Sequence, residues 1–174
     1  MLDLSQSEIN DIRKSGYRPQ VIGITTNDSK VLFVYHKEYD LWMFPQGGID
    51  NGESLEVAFW REMGEELGNE FVDKFDRNLN FILEDQSTFP PAKQGSRSLK
   101  TDDGQDIFMK GKVYFVLASE SSTTELDIEK TEFDHHKWTN YEEAQELIDS
   151  IYQRSKQRIT RQIVDELKSK NLIK

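Results

Sequence analysis

Three carboxylates, Glu62, Glu65 and Glu66, fall within about one helical turn of each other. The spacings i,i+3 and i,i+4 place all three on one helix face. Like charges stacked that way repel, by roughly a few tenths of a kcal/mol per pair on an exposed helix. A hard divalent cation removes the cost, because Mg²⁺ takes oxygen ligands and keeps several of its waters. Carboxylates and waters leave positions for phosphate oxygens, and that is the arrangement of hydrolytic phosphate chemistry.

The element that must carry them is a helix with Ser54 as its N-cap. Leu55, Phe59, Met63 and Leu67 repeat at i,i+4 and supply its apolar stripe. Gly64 costs such a helix ~1 kcal/mol relative to alanine, and Gly68 is a natural stop. Ahead of it, residues 41–52 form a glycine-dense loop with Pro45 as a breaker. Gly47 and Gly48 there let the backbone come close to a metal and to phosphates, where a Cβ would obstruct.

Around this centre the pattern alternates strands and helices. Residues 21–26 and 31–36 read as a hairpin about the turn Asn27-Asp28-Ser29. Residues 80–84, 113–118 and 132–138 read as further strands, and 141–151 and 155–170 as helices. Residues 1–15 carry little signal beyond a short amphipathic turn or frayed end at 7–14. Residues 86–105, extending to about 111, read as a long loop rich in Pro, Gly, Ser and basic residues. The expected fold is an α/β sandwich around a mixed sheet, in one domain spanning 1–174.

The absence of cysteine excludes disulfides, zinc thiolates and thiol nucleophiles. No apolar run is long enough for a membrane span, and the N-terminus lacks the build of a signal peptide, so the cytoplasm is the expected compartment. The net charge of −10 argues against a nucleic-acid coat protein, and neither DNA nor a membrane is an expected partner. The charge is unevenly spread. Residues 154–174 hold seven Lys/Arg against two Asp/Glu, a local +5 that leaves −15 elsewhere. A basic C-terminal helix at 154–171 beside an acidic body can receive a polyphosphate when metal ions screen the acids.

The spacing from Gly47 through Glu53 to Arg61-Glu62-Met63-Gly64-Glu65-Glu66-Leu67-Gly68 resembles the Nudix box, Gx5Ex7REUxEExGU, where U is aliphatic. Its fixed glycines, glutamates and arginine are all present. Asn69 stands where an aliphatic residue is usual, which touches packing and not a metal ligand. The resemblance implies a Nudix-type α/β/α sandwich and pyrophosphohydrolase activity. Glu53 and Arg61 are expected to form an ion pair fixing the loop to the helix. Glu62, Glu65 and Glu66 are expected to hold Mg²⁺, or Mn²⁺ in its place, with the Gly47 backbone beside it.

Further motifs narrow the branch. Gly16-Tyr17-Arg18-Pro19 and the run Trp42-Met43-Phe44-Pro45-Gln46-Gly47-Gly48-Ile49 are similar to GYRPNVG and WQFPQGGI. Those signatures belong to bacterial RNA pyrophosphohydrolases and the related asymmetric dinucleoside tetraphosphate hydrolases. Gly104-Gln105, Lys112-Val113-Tyr114-Phe115 and Glu132-Phe133-Asp134 with Trp138 resemble later elements of the same branch. By that likeness Arg18 contacts substrate phosphates or the 5′ end, and Glu132 completes the metal site. Tyr17 and Lys156 join as substrate contacts. Either Glu62 or Glu132 is expected to be the general base. Tyr114 in place of Trp, the inserted His135-His136 and the unlike segment 86–111 depart from the branch.

The implied substrate is 5′-phosphorylated RNA or a dinucleoside polyphosphate. A hydrolase of free (deoxy)nucleoside triphosphates and a non-catalytic nucleotide-sensing module are the rivals. Tyr17 and Trp42 read equally as base-stacking platforms or as core. His135 and His136 read as exposed surface, and Trp60 as packing. Lys93, Arg97 and Lys100 read equally as a lid over RNA and as a mobile loop.

Overall fold

A computed structural model describes residues 4–174. Its first element is a helix, α1 (Gln6–Lys14), started by a capping box in which Ser5 accepts from the Glu8 N–H and Glu8 reaches back to Ser5. Ile9 and Arg13 of α1 are buried. The expected turn or frayed end is therefore corrected for these residues, because the cap and one buried isoleucine hold the helix down; residues 1–3 lie outside the described ones. The hairpin of β1 (Tyr17–Asn27) and β2 (Lys30–His36) closes through Asp28 and Ser29, both at positive φ. That is the two-residue turn whose twist matches the strands.

Two short strands, β3 (Leu41–Met43) and β4 (Gln46–Gly48), occupy what reads in sequence as a loop. They lead into α2 (Leu55–Leu67) and the single turn α3 (Asn69–Val72). Next comes β5 (Asn80–Thr88), four residues longer than its expected strand. The supposed long loop is instead partly built: β6 (Ser98–Lys100) and β7 (Asp106–Phe108) pair as a small hairpin. β8 (Gly111–Glu120) and β9 (His135–Thr139) complete the strands, and α4 (Tyr141–Asp149) and α5 (Arg154–Ser169) end the chain. Polar residues such as Asp85 and Ser87 hid the far end of β5, whose pairing with β8 overrides their weak strand propensity.

The main sheet runs β3-β2-β1-β8-β5, with β4 also on β1 and β9 also on β2. β1 and β8 are parallel from Tyr17 against Gly111 to Thr26 against Glu120, and the other pairings are antiparallel. The sheet is thus mixed, as expected. Alternation with a period of two divides its apolar residues between two faces. Val21, Leu32, Val34, Phe115 and Leu117 pack with Ile9, Phe59, Met63 and Leu67 from α1 and α2. Ile22, Ile24, Val31, Phe33 and Val116 pack with Ala144, Ile148, Ile163 and Leu167 from α4 and α5. Helices on both faces give the three-layer α/β/α architecture. Among the described residues no helix is long and apolar enough to cross a membrane.

Candidate active site

α2 begins where Ser54 accepts a hydrogen bond from the Val57 N–H, and its apolar stripe is buried against the sheet. Burying that stripe fixes the helix rotation, so its acidic residues face outward toward β4. β4 lies antiparallel on β1, with Gln20 opposite Gly48 and Val21 opposite Gly47. A methyl group at Gly47 would overlap the Glu62 carboxylate, and one at Gly48 would overlap the Arg18 guanidinium. The two glycines therefore let an acid and a base approach the same strand from opposite sides.

The expected ion pair forms. Arg61 donates through Nε and a terminal nitrogen to the two oxygens of Glu53, at 2.7 Å each. The same guanidinium donates to the Gly48 carbonyl at 2.8 Å and to Glu62 at 2.6 Å. A planar fork with several donors suits this multiple attachment, which a lysine cannot reproduce. Hydrogen bonds from Arg61 hold the Glu53 carboxyl below the usual carboxylate range. Glu53 also accepts from the Asp50 N–H at 2.8 Å, so the loop is tied to the helix at both ends.

Glu66 is the unusual acid. It accepts from the Gln46 N–H at 2.9 Å and meets no cationic side chain among the described residues. Burial, then the neighbouring charges of Glu62, Glu132 and Glu65, push its carboxyl up to about 8. Burial also raises Glu62, against the opposing hydrogen bond from Arg61. Glu132 is exposed, and its backbone N–H donates to the Glu66 carbonyl at 3.2 Å, joining the segment before β9 to the end of α2.

Positive charge faces these acids. Arg18 of β1, Arg97, Lys112 of β8 and Lys156 of α5 line one cleft of about 440 Å³ together with Glu62, Glu66, Glu132, Gly47 and Gly48. Burial, followed by repulsion from Arg18, Arg97 and Lys156, lowers the Lys112 ammonium to about 8. Burial lowers Lys156 as well.

Most of the residues singled out in sequence thus meet. Two stand apart. Glu65 is exposed beside Arg61 at 3.6 Å and does not line the cleft. Tyr17 packs against the α1–α2 side of the core, and its hydroxyl meets that of Thr88 at 3.0 Å. Trp42 meets Tyr35 in a tilted ring contact at 5.2 Å and packs against the α4–α5 side of the core. Trp60 packs on Phe59, as expected. His135 is exposed and His136 half-buried, and neither lines the cleft.

Sequence reasoning missed Lys112, Gln20 and His36. Lys112 and Gln20 interrupt strands that are otherwise largely apolar, which was the available signal. Gln20 Oε1 and His36 Nδ1 are buried at the cleft without a hydrogen-bond partner among the described residues. Buried polar atoms are seldom left so, and both residues line the cleft.

The donor set fits a hard divalent cation. Glu62, Glu66 and Glu132 offer oxygen, the Gly47 backbone is close, and half-buried Glu66 meets no cationic side chain among the described residues. Among the described residues, however, no three acidic or histidine side chains stand close enough together to hold a metal ion as placed; Glu62 and Glu65 lean toward Arg61.

The NUDIX domain model matches residues 16–162. The chain belongs to the Nudix family. Relatives include an RNA pyrophosphohydrolase of Caulobacter vibrioides, 36% identical over 111 residues, covering 62% of this chain and 60% of that protein. This Nudix chain therefore aligns with less than two thirds of the Caulobacter protein's length. An RNA pyrophosphohydrolase of Edwardsiella ictaluri is 31% identical over 134 residues, covering 75% of this chain and 72% of the relative. A solved NUDIX hydrolase from Nitrosomonas europaea superposes with a TM-score of 0.60 at 16% identity, over 89% of this chain and 90% of its own. That likeness concerns the Nudix fold alone.

Proposed function

We propose that the protein is a cytoplasmic, Mg²⁺-dependent pyrophosphohydrolase acting on the 5′-triphosphate or diphosphate end of RNA, with dinucleoside polyphosphates as the nearest alternative substrates. The carrying observation is that one cleft sets Glu62, Glu66 and Glu132 against Arg18, Lys112 and Lys156. A polyphosphate fits both halves, its anionic oxygens on the cations and the anhydride beside the acids. The names of the Caulobacter and Edwardsiella relatives support the RNA reading.

Glu62 and Glu66, with Glu132 and the Gly47 backbone, would hold the ion, and Mn²⁺ would serve in its place. When bound, the ion neutralises phosphate oxygens and makes water a stronger nucleophile. The protein's own side chains do the rest. Arg18 and Lys112 bind and orient the phosphate chain, and Arg18 offsets charge on the departing group. Arg61 keeps the β4–α2 junction rigid, which preserves the alignment of attacking and leaving oxygens. A carboxylate accepts the proton of the attacking water. Glu132 is better placed for that than Glu62, because Glu62 already accepts from Arg61. Water adds to one phosphorus, the bridging oxygen leaves with its electron pair, and pyrophosphate or phosphate departs from the RNA.

Comparing kcat/KM with Mg²⁺ on triphosphorylated RNA, diadenosine tetraphosphate and a panel of dNTPs tests this reading. RNA is expected to be the best substrate. A dNTP preferred over RNA would replace the proposal with the nucleotide-sanitation reading, and no turnover of any would favour a sensing module.

A further inference from the structure

The cleft does not end at Lys156. Arg97, Lys112 and Lys156 also line a second cavity of about 830 Å³, between residues 87–97 and the start of α5. Lys93 and Arg154 add cations on its two walls, and no acidic side chain lines it. This occurs in a chain with 32 acidic against 22 basic residues, where a lining whose charged residues are all basic is not the default. Elsewhere on α5, Arg158 pairs with Asp85 and Arg161 with Asp149. Lys100, in the same insertion as Lys93, pairs with Asp106. The cavity's five cations have no such carboxylate partner among the described residues, so their charge is available to an anion.

Two features show that the cavity is built. Residues 89–97 are pinned: the Phe89 N–H donates to the Lys110 carbonyl and the Gly95 N–H to the Met109 carbonyl, at 2.8 Å each, and the Gln94 side chain donates to the Phe89 carbonyl at 2.9 Å. A pinned wall loses little freedom when a ligand seats on it. Opposite, α5 opens with Arg154 and Lys156, has no acid in its first turn and receives no side-chain cap. Positive charge at the positive end of a helix dipole opposes folding and favours an anion. Beside them, Tyr152 is 64% exposed while its hydroxyl donates to the Tyr39 carbonyl at 3.2 Å, which fixes a ring with a face open for stacking.

Building on the RNA reading above, we infer that this second cavity seats the first phosphodiesters of a single-stranded RNA downstream of its 5′ end. Lys93 and Arg154 take the backbone from opposite sides, Arg97, Lys112 and Lys156 hold the junction with the cleft, and Tyr152 receives a base. A free nucleoside triphosphate has no phosphodiester to place there. Contacts to backbone charge and a ring face are tolerant of sequence.

Fluorescence anisotropy with a labelled 5′-hydroxyl oligoribonucleotide of about eight nucleotides reads the cavity without the reaction. The full chain is used, in EDTA. Lys93→Gln combined with Arg154→Gln is expected to weaken binding about tenfold and to flatten the plot of log K against log salt by about 1.4. Each single substitution is expected to flatten it by about 0.7, and either decides the matter should the double variant fail to fold. Hydrolysis of diadenosine tetraphosphate is expected to stay within about twofold of the parent. Unchanged affinity and slope overturn the inference, as does a loss on the small substrate equal to that on RNA. Failure of the functional reading looks different: the parent would bind the 5′-hydroxyl RNA through these residues yet release nothing from triphosphorylated RNA.

Discussion

The acidic floor and the basic walls of the cleft are assembled in opposite ways. Glu53, Arg61, Glu62 and Glu66 lie on one loop and the helix that follows, and a buried apolar stripe sets their direction. Arg18, Arg97, Lys112 and Lys156 come from β1, the insertion, β8 and α5, and only the sheet order brings them together. The floor keeps its charges apart with hydrogen bonds from Arg61 and Gln46. On the walls the cations face one another with no acid between them. A floor built locally is a unit whose parts fail together, and walls built from distant elements lose one contact at a time.

The largest expected effect breaks the floor. Glu66→Gln is expected to cut kcat for pyrophosphate release about 10³-fold with KM little changed, because on the proposed reading it removes a ligand of the ion that acts on the reacting phosphate and not a substrate-binding contact. Glu65→Gln is expected to cost less, since that side chain stands outside the cleft lining. Equal losses would return Glu65 to the centre of the site. Arg61→Lys comes next. It removes the fork that joins Glu53, Gly48 and Glu62, and urea unfolding is expected to show a loss of about 2 kcal/mol. An unchanged midpoint would mean that the loop is held by other contacts.

A wall residue behaves otherwise. Lys112→Met is expected to raise KM for RNA about tenfold and leave kcat within about threefold. The same substitution is expected to stabilise the fold at pH 7 by about 1 kcal/mol. Burial among cations has lowered the lysine to about 8, so the protonated form costs stability at neutral pH and is relieved as pH rises from 8 toward 10.5. A stability loss instead would show that Lys112 belongs to the core.

A separate test of the floor concerns pH. The Glu66 carboxyl is raised in the fold to about 8 from 4.5, so its protonated form is favoured there. That contribution is complete below pH 4.5 and is lost as pH climbs to 8. In EDTA, the parent is expected to lose stability relative to Glu66→Gln between pH 5 and 8, and to lose no more above it. A flat difference would remove the buried, unpaired carboxyl from the description.

The same contrast governs what the sequence made legible. The helix of residues 54–68, its cap, the Glu53–Arg61 pair and the hairpin at Asp28-Ser29 are local patterns, and each formed as read. β3, β4 and the far end of β5 were read as loop because pairing with β1, β2 and β8 makes them strands, and their own residues do not. Lys112 was legible only as part of a motif, since its meaning depends on Arg18 and Arg97 lying beside it. Tyr17 illustrates the reverse: the motif placed it near the substrate, while its ring found the core and its hydroxyl found Thr88.

Everything functional returns to whether Glu66 and its acidic neighbours take up a divalent cation. Thermal unfolding of the full chain, titrated with Mg²⁺ and with Mn²⁺ at pH 7.5, addresses that directly. A saturable rise in Tm for the parent that is absent from Glu66→Gln is the expected result. No rise in the parent, or the same rise in both proteins, would contradict it.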